Sequence, residues 1–541
     1  MHRPDATITA AKKHAVDWVD GHRQALSDWH QVIWNFAEPA WREYRSADWY
    51  VNALRREGFE VEAGSGGMPT AFAAHWRNGP GPTVACYAEY DAVPGNCQAA
   101  ATTRGPRPGL SEFAAGHTDP HSALGIGALA GLLAAQSAMR AAKIGGTLKF
   151  FGEPAEKVQG SKLVHGLRGY YDGLDAMISF HPFYMLPLCN TTRWDTHCGA
   201  YCSRVYSFLC DAVETWAQAA SDSPIAAAHS AARAPGANVA LFTMYSLPKA
   251  TAESMLAHTG GWSLNEAILT AGQATADNLP AQLAQITYAW RAPEIRMADA
   301  ILEVLDHNAD HAAATAHCRL VKRWVSRTRP GVANHVLAAL TFENLAAVGA
   351  PRYGSTAVSL AQEIQRNLGL EPMARPFLPA CEQLIEPKVA EAQLREQMPA
   401  WQTHWTSDDY VEMSWYAPTV RLYVARPMLA VPVGYAGYPA WVSNALGGLS
   451  PCIDPTIDVA AKTIAGTLLD LLTRPDTLVA ARAEFNGRTA GARFIAPLLP
   501  RDFAAPIDYR WPEYVTTARG PDWWIPPERD LETGSSSSER R

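Results

Sequence analysis

Between residues 72 and 180 short apolar runs alternate with helix-like stretches, and this alternation limits the fold more than any other feature of the chain. Phe72–Trp76, Thr83–Tyr90, Thr147–Phe151 and Ala176–Phe180 read as strands. Leu124–Ala142 and Gly160–Tyr171, between them, read as helices. Strands separated by helices pair in parallel, because a parallel partner needs a long crossover. The expectation is an α/β fold: a mostly parallel central sheet with helices on both faces. The conspicuous polar residues, Glu89, Asp91, Glu153, Glu156 and His181, fall just beyond carboxyl ends of strands, where open α/β sheets place their ligands.

Outside this stretch the pattern changes. Residues 7–60 carry apolar positions at helical spacing. From residue 201 the order is strand (Ser203–Cys210), helix (Ala231–Ser246), two strands (near Ala267–Gly272 and Gln285–Arg291), helix (Ala298–Ala314) and strand (Arg319–Val325). Such an order is ferredoxin-like. It predicts an inserted α+β lid or dimerisation domain over 201–329, which splits a catalytic domain into 1–200 and 330–505. Helices resume at Asn334–Val348 and Ser355–Leu368, and α/β character returns with Pro427–Val433 and the helix Ile457–Leu472. Residues 506–541 form a C-terminal extension whose polar, low-complexity end from about 528 is expected to be disordered.

At 541 residues the chain is long enough for a large core and a second domain. A net charge of −7 offers no basic field for nucleic acid. No apolar run reaches the ~18–20 residues of a membrane span, and the first residues lack the apolar core of a signal peptide. Nine cysteines without a Cys-x-x-Cys pair read as free thiols. A cytoplasmic protein acting on a small molecule, bound to neither nucleic acid nor membrane, is the expectation.

Gly116-His-Thr-Asp-Pro-His-Ser122 carries the densest chemistry. His117, Asp119 and His121 alternate, so an extended segment could turn all three to one side, and Pro120 discourages helix through them. They are candidate ligands of a divalent metal, or else a polar turn capping the next helix with Asp119 or Ser122 as its N-cap. Glu156 follows a strand and a proline turn, suiting a general base beside a metal-activated water or a carboxylate favoured by a helix N-terminus. Beside it, Lys157 brings a positive charge where a metal site would want an anion. His181, at the end of the next strand, adds a further imidazole. Eighteen tryptophans, among them Trp194, Trp216, Trp262, Trp415 and Trp441, read as core and interface packing more than as an aromatic pocket.

Tyr87-Ala-Glu-Tyr-Asp-Ala-Val-Pro-Gly95, Gly116-His-Thr-Asp-Pro-His121, Phe150-Phe-Gly-Glu-Pro-Ala-Glu-Lys157 and Ser179-Phe-His-Pro182, in this order, resemble the M20 peptidase/amidohydrolase family, in its aminobenzoyl-glutamate hydrolase branch. Asn278-Leu-Pro280, Arg291-Ala-Pro-Glu294 and Ser407-Asp-Asp-Tyr-Val-Glu-Met-Ser-Trp415 fit the same resemblance, which spans roughly 20–480. It implies a metal-dependent hydrolase of C–N bonds with an inserted domain through which two copies pair. Asp119, His121 and His181 fall on metal ligands, and Glu156 on the catalytic base. His117, Trp216, His229, Asn278, Arg291, Ser407, Asp409 and Glu412 are the implied substrate contacts, with His229 a substitute for the histidine expected near Trp216.

Two family ligands are missing: Lys157 stands where a glutamate is expected, and Ala440 lies near the place of a histidine. Both would serve one metal of a pair, whereas Asp119, His121 and His181 would serve the other. The resemblance therefore implies one divalent ion per chain, Zn²⁺ or Mn²⁺ by its oxygen and nitrogen donors, with Lys157 assisting catalysis. The rival readings are a metal-free lyase, cyclase or amide-forming enzyme using Glu156 and Lys157, and a degenerate small-molecule-binding protein.

Overall fold

The computed structural model describes residues 6–183, 185–211, 236–255, 260–272, 281–491 and 496–508. Among the described residues eleven strands run in chain order: Glu60–Ala63 (β1), Phe72–Arg77 (β2), Thr83–Ala88 (β3), Thr147–Gly152 (β4), Ala176–Pro182 (β5), Thr191–Thr192 (β6), Ala200–Leu209 (β7), Ser263–Thr270 (β8), Leu283–Ala292 (β9), Arg319–Arg327 (β10) and Thr419–Val424 (β11). Seven form a sheet in the order β1-β2-β4-β3-β5-β11-β6. The four central strands, β4, β3, β5 and β11, pair in parallel, while β1, β2 and β6 join antiparallel at the edges. The fold is thus mixed α/β with a parallel centre. β5 and β11 are buried along their whole length, as central parallel strands covered by other elements should be. Because these strands run the same way, the residues after Ala88, Gly152 and Val424 open on one crevice together with the end of β5.

The helix His121–Ala142 packs against the helices Ser450–Thr473 and Ala6–Phe36 and against β3 and β5. Small residues permit the approach: a Cβ added at Gly131 would lie 2.7 Å from Ile464 Cβ, and one at Gly125 2.2 Å from the Tyr50 hydroxyl. This helix is long and apolar enough to cross a membrane, although 94% of its apolar window is buried in the protein. Burial of that extent is core packing.

β7 to β10, with the helices Ala237–Ala250 and Ile295–Thr315, make a second unit whose four-stranded antiparallel sheet has the order β10-β7-β9-β8. Both helices lie on this sheet, over a separate core that includes Tyr206, Ile286, Tyr288, Trp290 and Leu305. Elsewhere the largest departure from expectation is Pro427–Val433, which forms no strand beyond a single bridge at Leu429. Two prolines there remove backbone donors, and the strand lies earlier, at Thr419–Val424. The helix expected over Gly160–Tyr171 is shorter, Ser161–Leu167. Trp216, His229, Asn278 and the tail beyond residue 508 lie outside the described residues.

Candidate active site

His121 is the first residue of its helix, set there by Pro120 with φ −75°. Its Nδ1 lies 2.8 Å from Asp91 Oδ1, so the carboxylate accepts the Nδ1–H and turns Nε2 inward. There Nε2 faces Glu89 Oε2 at 3.3 Å and Glu156 Oε2 at 3.5 Å. His181, near the end of β5, has its Nδ1 2.5 Å from the Pro182 carbonyl, and its ring stands edge-on to His121 with centroids 5.6 Å apart. Glu89, His121 and His181 each offer a buried donor atom within 4.8 Å of the others. A carboxylate or carbonyl behind each imidazole is the usual support of metal-ligating histidines. His121 Nε2 is moreover a buried ring nitrogen without a hydrogen-bond partner. This donor set fits a divalent metal ion.

The charges around these residues are strongly biased. Burial and the Lys157 ammonium act to lower the His121 pKa, yet Asp91 and Glu89 outweigh them and raise it to about 9. Burial, with Arg421 adding to it, holds His181 neutral, lowered to about 3. Burial would raise Glu156, but Lys157, His121, Lys162 and His181 bring it down to about 2, so the carboxylate is ionised as a base requires.

Asp119 does not join Glu89, His121 and His181. Its Oδ2 is 2.5 Å from Lys157 Nζ and its Oδ1 3.5 Å from Arg426. Against burial, Lys157 foremost and then His181, His121 and Arg426 hold its carboxyl well below the usual range. Lys157 also reaches Glu156 Oε2 at 3.1 Å, and these carboxylates keep its ammonium charged despite burial. The side chains of Asp119 and Lys157 are 32% and 25% exposed, whereas Glu89, His121 and Lys162 are fully buried, which makes the first pair the mouth of the site and the second group its floor.

On the floor, Lys162 bridges Glu89 at 2.7 Å and Asp409 at 2.6 Å. Arg421 pairs with Asp408 and donates to Ser179 Oγ at 2.7 Å and Tyr87 Oη at 3.0 Å. Glu89, Asp408 and Asp409 approach one another closely enough for a cation, but Lys162 and Arg421 already hold the charge there. Asp409 is therefore a partner of Lys162. Glu412 instead pairs with buried Arg329, and His117 is directed at the Ile33 carbonyl, 3.3 Å away, its pKa driven down by burial. Arg291 leaves β9 over the ring of Tyr201 and donates to Ser407 Oγ at 2.8 Å, where Gln159 also donates at 3.2 Å. The second unit is thus linked through Ser407 to the loop that carries Glu156. Lys162, Arg421 and Arg426 carry no motif that marks them, and only the fold assembles them here with Asp408, whose motif did not single it out.

No protein-family model matches the chain. It is 26% identical over 365 residues to the B component of the p-aminobenzoyl-glutamate hydrolase of Escherichia coli, covering 65% of this chain and 68% of that protein. An aminobenzoyl-glutamate utilization protein from Klebsiella pneumoniae has a similar structure, with a TM-score of 0.51 at 15% identity, covering 84% of this chain and 98% of that one. A dinuclear metal-binding M20 peptidase from Bacillus subtilis matches at a TM-score of 0.44 and 13% identity, covering 84% and 99%. The sequence similarity and the shared fold, with the motif residues gathered at one end of it, support the resemblance of this chain to amidohydrolases of the M20 type.

Proposed function

We propose that this protein hydrolyses an amide or related C–N bond of a small molecule, such as an acyl-amino acid or a dipeptide-like compound, with one divalent metal per chain. The observation that carries this reading is Glu156, an ionised carboxylate 3.5 Å from His121 Nε2 at the edge of the Glu89, His121 and His181 cluster. Those three residues would hold the ion. When bound, it would supply Lewis-acid polarisation of the carbonyl and a more acidic water. Glu156 would accept the proton of that water and return it to the leaving nitrogen. Lys157, 3.1 Å from Glu156, would face the developing oxyanion with an ammonium kept charged by Asp119.

Two observations support a single ion. Lys157 and Arg426 engage both oxygens of Asp119, and Lys162 links Glu89 with Asp409. We read the unit over 201–329 as the inserted ferredoxin-like domain that pairs two copies, since β8 and β10 leave it two sheet edges to cover. Elemental analysis after metal-supplemented expression, with turnover of an acyl-amino-acid panel, tests the function. One tightly held ion per chain and hydrolysis lost in Glu156→Gln support it. Two ions overturn the count, and activity without metal would favour the non-hydrolytic use of the Glu156–Lys157 pair.

A further inference from the structure

Glu43 precedes the helix Tyr44–Arg56, more than a hundred residues before Glu156, and is fully buried. Its Oε1 accepts the backbone N–H of Ala155 at 2.8 Å, and its Oε2 accepts the Thr70 hydroxyl at 3.0 Å. Thr70 is fixed in turn by Tyr90, whose hydroxyl donates to its carbonyl at 2.5 Å. On the other side of Glu156, Asp91 Oδ2 accepts the N–H of Lys157 at 2.8 Å, while its Oδ1 holds His121. Glu156 therefore sits between two amides, each anchored on a buried carboxylate. The anchoring matters because Ala155 is left-handed, with φ 57° and ψ 37°. That conformation is disfavoured for an alanine, and a turn that holds it needs outside support.

We propose that Glu43 is a positioning residue, holding Ala155 left-handed so that the Glu156 carboxylate stays aimed at the His121 side of the site. The inference rests on Glu156 being the general base. Glu43 acts as a hydrogen-bond acceptor, so the amide of glutamine can serve in its place. Its charge is not what the loop uses: burial first, and then Asp91, push its pKa up to about 8. Without Glu43 the alanine relaxes toward right-handed or extended backbone and turns the base away, whereas glycine at 155 adopts the left-handed form without penalty.

The test compares Glu43→Ala, Glu43→Gln, Thr70→Val and the double variant Glu43→Ala/Ala155→Gly in metal-loaded, folded protein. It reads kcat and KM on whichever acyl-amino acid the wild type cleaves, and amide hydrogen exchange over residues 153–159. Glu43→Ala should lower kcat about 10- to 100-fold, as a misplaced catalytic group does, with KM within about twofold and faster exchange at Lys157. Glu43→Gln should stay within about threefold of wild type, and the double variant should regain several-fold over Glu43→Ala. Should Glu43→Ala fail to fold, Thr70→Val gives the same pattern in weaker form. Unchanged exchange in the folded variants, or a glutamine variant as impaired as alanine, overturns the proposal. A wild type that cleaves nothing in the panel counts against the hydrolase reading, and the exchange data still decide whether Glu43 orders the loop.

Discussion

The floor and the mouth of the site solve opposite electrostatic problems within a few ångströms of each other. On the floor, His121 and His181 are each backed by an acceptor, and their inward faces converge with Glu89. This set of donors suits a divalent cation. At the mouth, Asp119 already has two, Lys157 and Arg426, supplied by the protein. The two carboxylates, Glu89 and Asp119, are thus tied to different cations of the protein.

The sharpest way to break the comparison is to remove the floor. His121→Ala or His181→Ala should abolish both retained metal and turnover, as measured by elemental analysis and by rate; an active, metal-loaded His181→Ala protein would mean that the ligands lie elsewhere. Glu156→Gln should come next, lowering kcat ~10²–10⁴-fold with metal content unchanged. Lys157→Ala should cost turnover about 10²-fold, the scale of one oxyanion donor, and leave metal affinity within a few-fold because Asp119 is not among the clustered ligands. A large loss of metal affinity in that variant would join the mouth to the floor.

A milder probe is pH. His121 in the metal-free site is raised to about 9 from an ordinary 6.5. A raised histidine stabilises the fold while protonated, so its contribution is fully present below about 6.5 and fades as pH climbs through 9. A metal must displace that same proton. Metal affinity should therefore rise about tenfold per pH unit from neutrality toward 9, as competitive chelator titrations would show. A flat profile would mean that His121 is neutral without metal. The smallest effect is expected from Lys157→Glu with Ala440→His, which supplies both missing family ligands but leaves Arg426 on Asp119. A second ion should bind only weakly until Arg426 is replaced as well.

Part of this candidate site was legible in short stretches of sequence. His121, Glu156, Lys157 and His181 stand in motifs at strand ends, and the strand–helix alternation that orders them is local. Their cationic partners were not. Arg426 meets Asp119 across 307 residues of chain, and Lys162 reads as an ordinary residue of a short helix until the fold closes over Glu89 and Asp409. Thr419–Val424 was hidden as a strand by Arg421, a charge in its middle that the fold buries against Asp408, so the apolar but proline-bearing Pro427–Val433 looked the better strand. Asp119 illustrates the limit of spacing: it stands at the expected place in the motif, while its contacts follow from residues far away.

One feature of the core reaches further than packing. Gly131 lies ten residues from His121 on the same helix, about 15 Å along the axis. Any side chain there meets Ile464 Cβ and the Ala461 carbonyl, at 2.7 and 2.9 Å. The helix could accept a methyl group only by tilting off Ser450–Thr473, and a tilt at that point is a lever whose far end is an imidazole. Asp91, on the strand side, would not follow. Substitutions deep in the apolar interior, remote from any reacting atom, should therefore loosen the His121–Asp91 contact as well as destabilise the fold.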